Sequence, residues 1–335
     1  MPASRVSSNL MTAVLTVVAA IAALHFTRPI GEMEQGPFAG FLTRTVLPRA
    51  VPSATAFGES GEVKLKFALP GGTISYPLDV HGDPSELSYA WTRLGETALA
   101  TPPKALIGSQ VVAPPAAGFY QLQIVRGDVR RPVDGLTLAV MVPFAEKEEG
   151  LLRGYRIGTY LAEHISGKTP PPEGFLEISP RDVDIPITKH LRVGDFLNHD
   201  DQDSWPRYAA VSPRLLDKLE LVVAEIARWH GSGDSAKVNV VIDVHSGFRA
   251  PDHNRRVSRA ATDSQHQYGD AADVVIDVNG DGKFTALDAR MVGLAVEIVE
   301  LKHPDLVGGL GLYTSRTTGT YVHIDARGHR ARWRG

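Results

Sequence analysis

Cysteine is missing from all 335 residues. That excludes disulfides, thiolate metal centres and a lipoprotein-type anchor, and it leaves His, Asp and Glu as the side chains able to hold a metal. Charge of one sign is missing as well. The chain has 35 Lys and Arg against 38 Asp and Glu, a formal net charge of −3, so neither nucleic acid nor an anionic membrane surface is expected as the main partner. Long apolar runs are scarce. The one at the start, Leu10 to Phe26, follows Arg5 and is broken only by Thr12, Thr16 and His25. It falls between the roughly 7–15 residues of a signal-peptide core and the roughly 20 of a membrane-spanning helix. Residues 1–28 are therefore read as a signal peptide, with Ala20-Ile21-Ala22 as a possible cleavage region, or as a membrane anchor. Either reading exports the rest of the chain to a periplasmic or other extracytoplasmic location.

What is present suits a globular protein. With 43% hydrophobic and 22% charged residues, the length allows two or three domains of roughly 100–200 residues each. Residues 29–57 carry Gly, Pro and Thr without periodicity and read as a linker. From Glu62, apolar Val63, Leu65 and Phe67 alternate with Glu62, Lys64 and Lys66, the pattern of a half-buried strand. Further short runs at Thr73–Val80, Leu87–Trp91, Phe119–Arg126 and Leu136–Val142 are separated by Pro/Gly turns, so residues 58–145 are expected to form a small β-sandwich-like domain. Residues 146–209 form a bridging segment whose His190, His199, Asp200 and Asp201 lack ligand spacing and read as a solvated loop.

Residues 210–335 read as an α+β domain. Ser212 and Pro213 open a helix whose apolar positions run from Leu215 to Ile226, and Gly231 stops it. Strands are expected at Val238–Val244, Ala272–Ile276, Gly308–Tyr313 and Tyr321–Asp325, with a short helix at Asp252–Ala260. A long helix is expected to Lys302, capped by Thr285 with Asp288 completing a capping box. The informative string is Ser264-Gln265-His266-Gln267-Tyr268-Gly269-Asp270-Ala271-Ala272-Asp273. Fully extended, His266 and Asp273 would stand about 23 Å apart at about 3.3 Å per residue. They can share a metal only if the chain folds back, which Gly269 permits at little cost. Asp273 begins an apolar strand where an unpaired carboxylate would be expensive, and a metal accounts for it. His323, in Tyr321-Val322-His323-Ile324-Asp325, is the candidate third ligand, with Val322 and Ile324 facing the other way into the core.

These strings, together with Ser246-Gly247-Phe248-Arg249, resemble the zinc D-alanyl-D-alanine carboxypeptidase and murein endopeptidase family, whose fold Hedgehog signalling domains share. The similarity covers roughly residues 210–330. It implies that His266, Asp273 and His323 bind zinc and that Arg249 meets the substrate and developing negative charge, a task suited to a permanently protonated, forked guanidinium. Many members place an acidic base three residues before the last zinc histidine, where this chain has Thr320. Asp325, on the same strand face as His323, is then the candidate base or the partner that orients the histidine, and His245 and His253 are possible assistants.

Directly after the zinc strand, residues 277–288 follow the twelve-residue Asp-x-Asn-x-Asp-Gly pattern and resemble the calcium loop of dockerin modules. Asp277, Asn279, Asp281, Thr285 and Asp288 would supply side-chain oxygens, Lys283 its carbonyl, and Gly282 the sharp turn. Such oxygens select Ca²⁺ over zinc, and a structural brace is expected. The expected function is zinc-dependent hydrolysis of peptidoglycan stem peptides, as carboxypeptidase or endopeptidase. The alternative is a non-catalytic, zinc-stabilised module that binds cell wall or a protein.

Overall fold

The pattern of half-buried strands in the first half of the chain becomes one five-stranded sheet in the computed structural model, which describes residues 47–48, 58–75, 78–79, 87–107, 110–230, 240–315 and 319–335. The apolar run Leu10–Phe26 and most of the expected linker lie outside the described residues. Among the described residues no helix is long and apolar enough to cross a membrane.

The sheet is built from β1 (Leu65–Ala68), β2 (Ser88–Arg93), β3 (Lys104–Ala105), β4 (Gly118–Arg126) and β5 (Val129–Val140), in the order β1-β5-β4-β2-β3. Among the described residues, what pairs outside this sheet in the same half is two short ribbons, Leu47–Pro48 with Leu78–Asp79 and Thr73–Ser75 with Gln110–Val112. The second of these packs on the sheet. Two aromatic residues of β2 hold it: Tyr89 accepts from the Val112 amide and the Trp91 indole donates to the Val112 carbonyl, both at 2.9 Å.

The bridging segment departs from the solvated loop expected of it. Its β6 (Gly174–Ile178) and β7 (Arg207–Ala209) pair with each other, and Phe175, Ile178, Ile187, Val193 and Phe196 are fully buried. Of the polar residues that suggested solvent, His199 is exposed and the other three are bonded within the protein. His190 meets Glu220 at 2.7 Å, Asp200 accepts from Tyr155 and Asn198, and Asp201 pairs with Arg156 and Arg256. Satisfying them locally removes the cost of packing the segment against its neighbours.

In the C-terminal half, α1 (Pro213–His230) begins at the expected Pro213, while the expected stop at Gly231 lies outside the described residues, and α2 (Ala286–Lys302) has the expected box at Thr285 and Asp288. A second five-stranded sheet contains β8 (Ile242–Ser246), β9 (Ala271–Ile276), β10 (Gly309–Ser315), β11 (Gly319–Asp325) and β12 (Ala331–Arg334), ordered β8-β9-β11-β10-β12. Every pairing is antiparallel except β10 with β12. Residues Asp252–Ala260 are not a full helix. One turn at Pro251–Asn254 ends where the Asn254 side-chain Nδ2 donates to the Ala261 carbonyl, and Arg259 takes a left-handed conformation.

One face of this sheet packs on the helices. Val274, Val322 and Ile324 are completely buried there, each contributing roughly 1.5–3 kcal/mol. Gly293 of α2 lets Leu310 and Leu312 of β10 approach closely. Lys218 of α1, fully buried, donates to Glu300 of α2 (2.7 Å) and to the Asp325 carbonyl (2.6 Å). The opposite face is left for chemistry.

Candidate metal centre

Strand register places the centre. Ser246 of β8 faces Asp273 of β9, Asp273 faces His323 of β11, His323 faces Gly311 of β10, and Gly311 faces Trp333 of β12. Because strand side chains alternate, burying Val322 and Ile324 against the helices obliges His323 and Asp325 to point the other way. His266 arrives from a short 3-10 turn, Gln265–Tyr268, that ends on Gly269 with φ +69°. A side chain at Gly269 would overlap the Ala210 carbonyl, so the reversal needs both the left-handed backbone and the missing Cβ.

The three side chains converge. His266 Nε2 lies 3.1 Å from His323 Nδ1 and 3.3 Å from Asp273 Oδ1, and His323 Nδ1 lies 2.9 Å from Asp273 Oδ1. Tetrahedral zinc held at about 2.0–2.1 Å separates its ligand atoms by about 3.3 Å, so the triad has the right spacing. Among the described residues this is the one group of three His, Asp or Glu side chains whose ligand atoms all lie within 4.8 Å of one another. The remaining atoms of each ligand are tied back. His266 Nδ1 is 2.7 Å from the Gly247 carbonyl, which directs its proton there and leaves Nε2 bare. His323 Nε2 is 3.0 Å from Asp325 Oδ2, which leaves Nδ1 bare. Asp273 Oδ2 accepts from Arg249 Nη2 at 2.9 Å, which leaves Oδ1. Such outer partners fix ring tautomers and ligand orientation. The donor set of two imidazoles and one carboxylate fits zinc.

Electrostatics set the two imidazoles apart. Burial pushes the His266 pKa down, assisted by His323 and Arg249. Burial also presses on His323, but its bonds to Asp273 and Asp325 prevail and raise it. Asp273, although buried, is held well below the usual carboxylate range by His266 and His323.

Arg249 lines the cleft with the triad but is not free, since its guanidinium also donates to Ser246 Oγ at 3.0 and 3.2 Å. Its loop is backed by the bridging segment. Gly247 presses on Phe196, and the fully buried Asn198 accepts from the Ala250 amide. Asp325 is fully buried and absent from the cleft lining. Its oxygens meet His323, the Gly309 amide (2.7 Å) and the backbone and guanidinium of Arg327. A carboxylate so committed suits orienting His323, with no oxygen left for a water in the cleft. His245 is exposed beside Asp243, and His253 Nδ1 faces Asn198 at 2.7 Å. Neither lines the cleft. Thr320 sits across from Thr314 in the β10–β11 hairpin.

The cleft over the triad has a volume of about 530 Å³. Tyr313, Tyr321, Trp333 and Asp263 line it, and sequence reasoning singled out none of them. The Tyr pair is legible only through register, as direct cross-strand neighbours. The loop at 277–288 behaves differently. Asp277 accepts from the Gly280 and Gly282 amides, Asp281 from Lys283, and Asp288 from Val278 and Thr285.

No curated protein matches the chain. Residues 221–325, from within α1 to the end of β11 and including the whole triad, match the family model for Peptidase M15. With the geometry of the triad, that match supports a zinc-dependent metallopeptidase of the M15 family in this part of the chain.

Proposed function

We propose that the chain hydrolyses amide bonds in peptidoglycan stem peptides outside the cytoplasm, held at the membrane or released according to the fate of residues 1–28. The observation that carries the reading is the convergence of His266, Asp273 and His323 at the floor of a cleft that also displays Arg249. Zinc bound there supplies a polarised scissile carbonyl and an acidified water. The protein does the rest. Gly247 and Asp325 hold the two imidazoles in the tautomers that present bare nitrogens. Arg249 keeps Asp273 oriented and presents the rest of its guanidinium to a substrate carboxylate or an oxyanion. Tyr321 stays protonated, its pKa pushed up to about 12 by burial and the nearby Asp273, and serves as a neutral hydrogen-bond donor in the cleft.

A second reading, a zinc-stabilised module that binds wall peptides or a protein without cutting, draws on one observation. Thr320 stands where relatives place an acid, and Asp325 is enclosed. Asp263 is the cleft's one side-chain carboxylate outside the triad; its Oδ1 accepts from the Tyr268 hydroxyl, and the proton acceptor of the enzyme reading is assigned to its Oδ2. The test is digestion of purified peptidoglycan by the full-length chain with Zn²⁺, read by mass spectrometry, against His266→Ala and Asp263→Asn. Fragments released by wild type alone support the peptidase, and the bond cut separates carboxypeptidase from endopeptidase. Stoichiometric zinc without any cleavage hands the assignment to the binding module.

The calcium reading of residues 277–288 rests on sequence spacing. Its ligands would be Asp277, Asn279, Asp281, Lys283, Thr285 and Asp288, and calcium titration followed by thermal unfolding tests it.

A further inference from the structure

Strand β12 lies beyond the matched residues 221–325, yet Ala331 and Trp333 wall the cleft. Its alternation divides the labour. Arg332 points to the helix face, where it bonds Glu297 Oε1 at 2.7 Å, pairs with Glu300 and donates to the Gly308 carbonyl. That clamps the strand to α2 and to the start of β10. Trp333 points to the metal face. There its indole crosses β10 over Gly311, where any side chain would overlap the ring. It reaches His323, with ring centroids 5.0 Å apart at 50°.

The indole also has a polar task. Its Nε1–H donates to the Tyr313 hydroxyl oxygen at 2.9 Å. Tyr313 in turn stacks on Tyr321, with centroids 4.4 Å apart and planes within 11°. A hydroxyl that accepts one bond still has its own proton to give. Among the described residues nothing takes the Tyr313 proton, and the ring borders the cleft beside the triad.

Resting on the peptidase reading, we propose that Trp333 is a positioning residue for substrate: its indole N–H fixes the Tyr313 hydroxyl as a donor to a backbone carbonyl or carboxylate oxygen of a peptide lying along the Tyr313–Tyr321 wall. The wall acts through the peptide's oxygen rather than through zinc, so ligand binding and metal binding separate in the test.

The full-length zinc-loaded chain is compared with Trp333→Phe, Tyr313→Phe and the double variant. Phe at 333 keeps a ring on His323 and removes only the donor. The probe is Nα,Nε-diacetyl-L-lysyl-D-alanyl-D-alanine, with Kd from calorimetry, kcat and KM from product release, and zinc content from atomic emission. Each single variant is expected to weaken Kd and raise KM about fivefold to tenfold, the loss of one neutral hydrogen bond. The double variant should be no worse than either single one, and zinc content should stay at the wild-type value. A Trp333→Phe protein that binds and cuts like wild type overturns the proposal, as do losses that multiply in the double variant. Loss of zinc in Trp333→Phe also overturns it, because Trp333 would then serve only to support His323. Wild type that binds the probe without cutting it, and that also releases nothing from purified peptidoglycan, overturns the peptidase reading alone, and the Kd comparison still decides the role of Trp333. Wild type that neither binds nor cuts overturns both.

Discussion

Two stretches of chain four residues apart are both rich in metal-ligand side chains and hold them in different hydrogen-bond arrangements. In the first, His266 and Asp273 join the distant His323, and three ligand atoms lie within 3.3 Å of one another. In the second, residues 277–288, the acidic oxygens turn to their own backbone, and Asp288 spends its carboxylate on Val278 and on capping α2. The difference is where the non-ligating atoms go. At the triad every spare atom has an outside partner, Gly247, Asp325 or Arg249, so the remaining lone pairs are forced toward one point. In the loop the carboxylates are themselves the partners of amides. Composition alone does not tell which of these side chains converge on one point; the outside partners that hold the triad do.

That contrast can be broken most severely at the triad. His266→Ala removes one of three ligands and is expected to abolish stoichiometric zinc binding and all zinc-dependent cleavage, as measured by metal content and peptide release. Retention of one tightly held zinc would mean that the triad is not the site.

Next in size is the outer partner. Asp325→Asn leaves all three ligands in place but weakens the hold on His323, and zinc affinity should fall about 10–100-fold in a chelator competition. Unchanged affinity would reduce Asp325 to a partner of Arg327 and Gly309.

The loop should answer differently. Asp288→Ala strips the cap from α2 and leaves the buried Val278 amide without its acceptor, costing about 1–3 kcal/mol of stability in urea unfolding, with zinc affinity unchanged. Weaker zinc binding would show that loop and triad are coupled.

The smallest expected effect concerns Asp270, inside the reversal between His266 and Asp273. Burial pushes its pKa up to about 6 from 3.8. The folded state therefore holds this proton more tightly than the unfolded chain. The associated stability is fully present below about pH 4 and is lost as the pH rises through 6. Asp270→Asn removes that loss, so metal-free protein should gain about 1–2 kcal/mol at pH 8 and nothing near pH 4. A variant less stable than wild type at pH 8 would show that the Asp270 charge is stabilised in the fold.

Much of this was open to reading from local pattern. Pro213 marked the start of α1, the Thr285–Asp288 box marked the start of α2, and the spacing from Ser264 to Asp273 marked a reversal that the left-handed Gly269 makes. Other features had no local signal. Strand β12 reads Ala-Arg-Trp-Arg, four residues whose alternation is too short to signal a strand on its own, and it is an edge held by ion pairs to α2. The bridging segment looked like solvated loop because its polar residues are satisfied by partners 30 to 55 positions away, a fact no window of sequence contains.

By itself, then, the sequence determined which side chains could hold a metal, which helices form and where the chain must reverse, since each of those depends on neighbours within a turn or two. Tertiary structure alone decided that Asp325 is enclosed behind His323, that Asn198 and Phe196 back the Arg249 loop, and that Trp333 reaches His323 across a glycine. Those facts depend on the order in which strands lie side by side, and strand order is set by how the two faces of the sheet bury their apolar residues.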